Sequence, residues 1–179
     1  MNERSTGRRI RSRAGWRARA AALAVAVLTA VGVGVVAAPA QAYYTNSAHD
    51  FRVLTHVQNK GWTSTPGTRG AGLRLEAIRV TQLQHKVICL NAHVANIGWQ
   101  GKRCTSGKGT TITVGTTGRD LAIEAVTLTR PGNTYGMTAT VHIQNVGDKT
   151  IGVGKGIGGF TVGTTGKRLR MEWFELKTS

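Results

Sequence analysis

Acidic side chains are scarce in this chain: 8 Asp+Glu stand against 24 Lys+Arg, a formal charge of +16 over 179 residues. Cysteine contributes only 2 residues and proline 3, so a disulfide-dense scaffold is excluded. The 24 glycines follow no every-third-residue pattern, which excludes a collagen-like chain. Charged residues make up 18% against 40% apolar, too few for a disordered polyelectrolyte. No nucleophile elbow and no H-E-x-x-H site occurs, and beyond residue 42 no segment keeps a capped helical period. A charge of +16 points first to nucleic acid, so its position along the chain decides what it means.

Much of the charge is at the start. Arg4, Arg8, Arg9, Arg11, Arg13, Arg17 and Arg19 precede an uncharged run from Ala20 to Ala38, and Ala40-Gln41-Ala42 supplies small residues. Basic region, apolar region and A-x-A site in that order read as a secretory signal over residues 1–42, cleaved after Ala42. An uncleaved anchor is the alternative, because the apolar run approaches the ~20 residues that span a bilayer. Contact with a membrane is then only transient. From Tyr43 onward 17 basic and 7 acidic residues remain, a net of +10. An exported basic domain meets wall polymers, acidic polysaccharides and cell surfaces rather than intracellular nucleic acid.

The rest of the chain is organised by a repeat. Gly67-Thr68-Arg69-Gly70, Gly115-Thr116-Thr117-Gly118 and Gly163-Thr164-Thr165-Gly166 begin 48 residues apart in both steps. Each leads into an apolar–charged block: Leu73-Arg74-Leu75-Glu76, Leu121-Ala122-Ile123-Glu124 and Leu169-Arg170-Met171-Glu172. Upstream stands a second signature: His56 to Trp62 with Asn59, His93 to Trp99 with Asn96, and His142 to Asp148 with Asn145. The distance from its last residue to the Gly block is 5, 16 and 15 residues. Length variation confined to one segment marks that segment as a loop.

Locally the reading is β. Segments such as Val87–Val94 and Met137–Ile143 are rich in β-branched residues with partial alternation. In the second repeat, alternation puts Leu121, Ile123, Ala125 and Thr127 on one face and Ala122, Glu124, Val126 and Leu128 on the other, a strand covered on both sides. Asn-x-Gly and Gly-Thr-x-Gly supply turns that need positive φ. The expected fold is all-β, a single domain over residues 43–179. Its three tandem repeats, about 51–82, 87–129 and 136–178, carry pseudo-three-fold symmetry. A β-prism-like closure is favoured and a β-trefoil is the alternative, since closure removes exposed strand edges.

His-Val-x-Asn-x-Gly-Trp followed by Gly-Thr-Thr-Gly and Leu-Arg-Leu-Glu-Ala resembles the clostridial hydrophobic repeat with conserved tryptophan, the ChW repeat, in three copies from about Phe51 to Lys177. The resemblance implies a secreted bacterial module that binds or adheres outside the cell and is not a catalyst. Two departures stand out in the third copy: Asp148 replaces the Trp, and Trp173 stands where Ala77 and Ala125 stand elsewhere.

The recurrent residues His56, Asn59, Trp62, Glu76, His93, Asn96, Trp99, Glu124, His142, Asn145 and Glu172 are the candidate ligand-binding set. Trp62 and Trp99 offer flat faces for a sugar ring, but residues recurring in every unit are expected to pack under their own repeat. Trp173 is expected to fill the volume left by Asp148, which requires both to face the same space. The three His and three Glu invite a zinc or acid–base reading. Pseudosymmetry keeps equivalent residues apart, so each is expected to fix its own turn through backbone hydrogen bonds, with no metal and no cofactor. Gly154-Lys155-Gly156-Ile157-Gly158-Gly159 is a formal G-x-G-x-x-G without the following helix, and reads as a flexible loop. Cys89 and Cys104, 15 apart and exported, are expected to be bridged, worth ~3 kcal/mol. Lys102, Arg103, Lys108, Arg119, Lys167, Arg168 and Arg170 form a solvated surface or a polyanion-facing patch. The expected protein is a monomeric, secreted, non-enzymatic module that recognises extracellular or cell-wall glycans, or alternatively binds surface proteins.

Overall fold

The computed structural model describes residues 50–179, so the expected signal segment and its cleavage point lie outside the described residues. No helix among the described residues is long and apolar enough to cross a membrane.

The structure is all-β, with one 3-10 turn at Pro131–Asn133. Three antiparallel trios repeat along the chain. The first is β1 (Phe51–Val57), β2 (Gly61–Thr63) and β3 (Leu75–Gln82). The second comprises β4 (Cys89–Val94), β5 (Gly98–Trp99) and β8 (Ile123–Thr129), with β6 (Arg103–Cys104) and β7 (Thr111–Gly115) between. The third is β9 (Met137–Ile143), β10 (Gly147–Val153) and β12 (Met171–Thr178), with β11 (Gly159–Gly163) between. In each trio the first strand lies in the middle, giving the orders β2-β1-β3, β5-β4-β8 and β10-β9-β12.

The second and third repeats each give a further strand to the sheet before them. β7 of the second repeat pairs with β3, and β11 of the third pairs with β8. The first repeat meets the third not with a strand but with the isolated bridge Gly67↔Trp173, flanked by bonds from Phe174 N to Pro66 O (2.8 Å) and from Thr68 N to Glu172 O (2.7 Å). Gap length explains the difference: 5 residues suffice for one bridge, whereas 16 and 15 leave room for a strand. The variable segment expected to be loop therefore contains strands, β6 and β7 in the second repeat and most of β10 and β11 in the third. The donation runs second to first and third to second. It covers an edge that would otherwise expose unpaired backbone.

Three equivalent hydrogen bonds mark these seams. Thr116 N donates to Glu76 O (2.8 Å), Thr164 N to Glu124 O (2.9 Å) and Thr68 N to Glu172 O (2.7 Å). The first glycine of each block is what permits the approach. Gly115 and Gly163 have φ of 95° and 113°, and a Cβ there would stand 2.3 Å from Glu76 O and 2.4 Å from Glu124 O. No side chain fits at either position.

The central strands β1 and β9 alternate buried and half-buried residues, because one face packs inward and the other meets solvent. Val53, Ile78, Leu90, Leu128, Val141 and Phe174, two from each sheet, belong to one fully or almost fully buried cluster. Each such side chain contributes about 1.5–3 kcal/mol on leaving water.

A β-bulge interrupts the third strand of each trio. His56 pairs with Ala77 but Val57 with Leu75, which leaves Glu76 unpaired in the ladder; Glu124 and Glu172 occupy the same place. A bulge shifts the side-chain phase by one residue. In β8 the inward residues are consequently Ile123, Val126 and Leu128. This corrects the expected faces, which put Ile123 opposite Val126 and Leu128.

Cys89 and Cys104 are disulfide-bonded, as expected, and sit directly opposite each other in β4 and β6. The glycine-rich segment 154–159 is not a free loop. Arg130, 2% exposed, reaches it with Nε on Ile157 O (3.2 Å) and Nη2 on the carbonyls of Gly154 and Ile157.

Candidate functional site

All three recurrent histidines are on outward faces, each on its own sheet. Around each runs a cross-strand row whose members share one face, since directly opposite residues of antiparallel strands point the same way. The rows are Trp62–His56–Ala77–Gly115, Trp99–His93–Ala125–Gly163 and Asp148–His142–Trp173–Gly67.

The tryptophans therefore do not pack under their repeats, contrary to expectation: they stand on the outer surface. Trp62 and Trp99 meet their histidines edge-on, with ring centroids 5.2 Å apart in both pairs. Trp173 and Asp148 do share a face, but on opposite flanks of His142, so Trp173 does not fill the space of the missing Trp. Arg69 joins them instead, lying 4.0 Å over the Trp173 ring with Nε 3.3 Å from Asp148. Cations also decide which ring is open. Arg79 covers Trp62 at 4.1 Å, whereas Thr127 stands in the corresponding position of the second repeat. Trp99 has no cation over it among the described residues and is 44% exposed.

Each bulge turns its glutamate toward the same row, where it is almost wholly buried: Glu76 4%, Glu124 5%, Glu172 2% exposed. The expected pairing of His and Glu with backbone groups is not what holds them. His56 Nδ1 lies 3.0 Å from Glu76 Oε2, and His93 Nδ1 lies 3.0 Å from Glu124 Oε2. His142 turns to Asp148 at 2.7 Å. Asn59, Asn96 and Asn145 serve the turn itself, at φ of 60°, 63° and 59°. The three His and three Glu form no common centre. Among the described residues no group of three or more His, Cys, Asp or Glu could hold a metal ion.

A buried carboxylate needs strong donors. Glu76 receives one from Arg74, at 3.0 Å through Nε and 2.7 Å through Nη2. Glu172 receives one from Arg170 at 2.9 Å. In the second repeat the equivalent position is Ala122, and the missing side chain leaves a cavity of about 390 Å³. Glu124 and His93 line it, together with Asn96, Ala122 and, from the next repeat, Arg168 and Arg170. Position 168 corresponds to Asp120, which binds Arg74 at 2.8 Å in the first seam. Here an exposed arginine, without an ion-pair partner among the described residues, takes the place of that carboxylate. The sequence signals were the interrupted series Arg74, Ala122, Arg170 and the cation at 168, but only the fold puts them on either side of one seam.

The family model described as Clostridial hydrophobic W matches residues 56–81 and 93–129. These two segments are similar to the ChW repeat. The match runs from each histidine through the Gly block and the bulged glutamate, the parts that form the row and the seam. The third trio lies outside the ChW match, although it repeats the strand order and the seam hydrogen bond. It is also the trio with Asp148 in place of the tryptophan, near the start of its second strand. No curated protein and no solved structure matches the chain.

Proposed function

We propose that this protein is a secreted, non-enzymatic ChW module that recognises carbohydrate outside the cell, through one site on its second repeat. The observation that carries this reading is that two substitutions open the same place. Ala122 in the Arg74 position uncovers a cavity ending in Glu124 and His93, and Thr127 in the Arg79 position uncovers the face of Trp99. His93 belongs to both, as a wall of the cavity and as the edge-on partner of Trp99.

A sugar presents hydroxyl donors on its rim and a C–H face in the middle. An acceptor-only carboxylate beside an aromatic plane complements both. The cavity is of the size that takes one small ligand or one sugar unit. The arrangement of three sheets around one core fits this use, because the row of each sheet faces outward. The basic side chains add long-range attraction to anionic wall polymers, which salt weakens.

A glycan array probed at two salt concentrations tests the reading: specific glycans are retained at the higher salt, and binding that disappears there is charge attraction alone. If no glycan binds at either concentration, the reading falls. Ile97 and Val146, 41% and 46% exposed on the Asn-x-Gly turns, would then favour contact with a surface protein.

A further inference from the structure

The second-repeat cavity has a charge pattern that restricts its ligand further, within the carbohydrate reading just given. Glu124 lies at the inner wall with His93 as its near neighbour. Arg170 is occupied by Glu172 at 2.9 Å, while Arg168 is exposed at the rim. One carboxylate inside and one uncommitted guanidinium outside make a site with an acceptor end and a cationic end. We propose that it takes a sugar unit bearing a carboxylate, with ring hydroxyls donating to Glu124 and the ligand's carboxylate on Arg168.

Three features support this assignment. First, the inner end is built for donors: in the first and third repeats the same place is filled by an arginine donating to the bulged glutamate. Sugar hydroxyls can replace those donors without bringing a buried positive charge. Second, the guanidinium at position 168 has a fork that matches a carboxylate, and it stands where the first seam has the acid Asp120. The polarity of the rim is inverted at this seam alone: the positions are Asp120, Arg168 and, in the seam of the first repeat against the third, Gly72. Third, an acidic ligand approaches a basic surface, with 17 basic against 7 acidic residues from Tyr43 onward.

The test is a titration, followed by NMR or calorimetry, with methyl glucuronoside against methyl glucoside and with the corresponding galacto pair. For the wild-type protein one acid binds at a single site and about tenfold more tightly than its neutral counterpart, the size of one charge-assisted contact. Arg168→Ala brings the two affinities to within about threefold of each other. Ala122→Arg, which restores the side chain of the other two repeats, removes binding of both with the melting temperature retained or raised. Equal affinity for acid and neutral sugar, or an unchanged ratio in Arg168→Ala, overturns the acidic assignment and leaves the glycan reading in place. Binding of neither acid also overturns it, and the array result then shows whether the wider reading falls with it.

Discussion

Two glycines of one four-residue block differ sharply in what they cost to replace. Gly163 has φ of 113°, and a Cβ there stands 2.4 Å from Glu124 O and 2.6 Å from Ala125 Cα, both backbone atoms that cannot swing aside. Gly166, three residues on, has φ of 71° and nothing within 4 Å of its Cβ position. Gly166→Ala therefore costs only left-handed strain, about 1–2 kcal/mol. Gly163→Ala carries a comparable conformational cost and must also push the second and third repeats apart. Overpacking adds about 1–3 kcal/mol. Breaking the bond from Thr164 N to Glu124 O, 2.9 Å, adds about 1 kcal/mol or more if its buried groups stay unpaired. The expected destabilisation is about 3 kcal/mol or more for Gly163→Ala, against about 1–2 kcal/mol for Gly166→Ala. Urea unfolding followed by Trp fluorescence reads both, with the midpoint shifting at constant slope. Equal losses in the two variants would refute the seam geometry.

Further outcomes follow from the same contacts. Reducing Cys89–Cys104 should lower stability by about 3 kcal/mol, read as a urea midpoint with and without reductant, by releasing a loop closed over 15 residues. Arg130→Met should cost about 3 kcal/mol and speed hydrogen exchange in residues 154–158, because the carbonyls of Gly154 and Ile157 lose their buried donor. Burial holds the Tyr135 phenol protonated far above its ordinary range, with nearby Arg130 opposing and Asp50 assisting. Its stabilisation is therefore whole below the unfolded value of about 10 and is lost as pH rises beyond it, since the unfolded chain gives up its proton first. Tyr135→Phe should flatten that part of the stability profile between pH 10 and 12, while costing about 1 kcal/mol near neutrality for its bond to Val87 O (2.7 Å).

The period of 48 residues, the turns and the disulfide were legible because each depends on residue types with few substitutes: glycine at positive φ, asparagine in the turn, a single possible cysteine pair. Two things were not. The bulges at Glu76, Glu124 and Glu172 leave no mark in an alternating string, yet each reverses the phase of its strand, so Ile123 joins Val126 and Leu128 in the core. Strand donation was equally hidden, because pairing between β7 and β3 or β11 and β8 joins residues of different repeats. Within the site, Trp62 and Trp99 were identified but placed on the wrong side of the sheet. Their recurrence resembled a core position, whereas their partners are the outward histidines. Ala122 and Thr127 look unremarkable by themselves. They matter through what they fail to cover.

The second repeat, and neither of the other two, is expected to present the open site. Backbone and side-chain chemical-shift mapping with the best glycan ligand tests it most directly. Shifts are expected to gather on His93, Asn96, Trp99, Glu124 and Arg168, while the equivalent His56, Asn59, Trp62 and Glu76 stay unmoved. Equal shifts at both rows, or shifts confined to the turn tips at Ile97 and Val146, would contradict it.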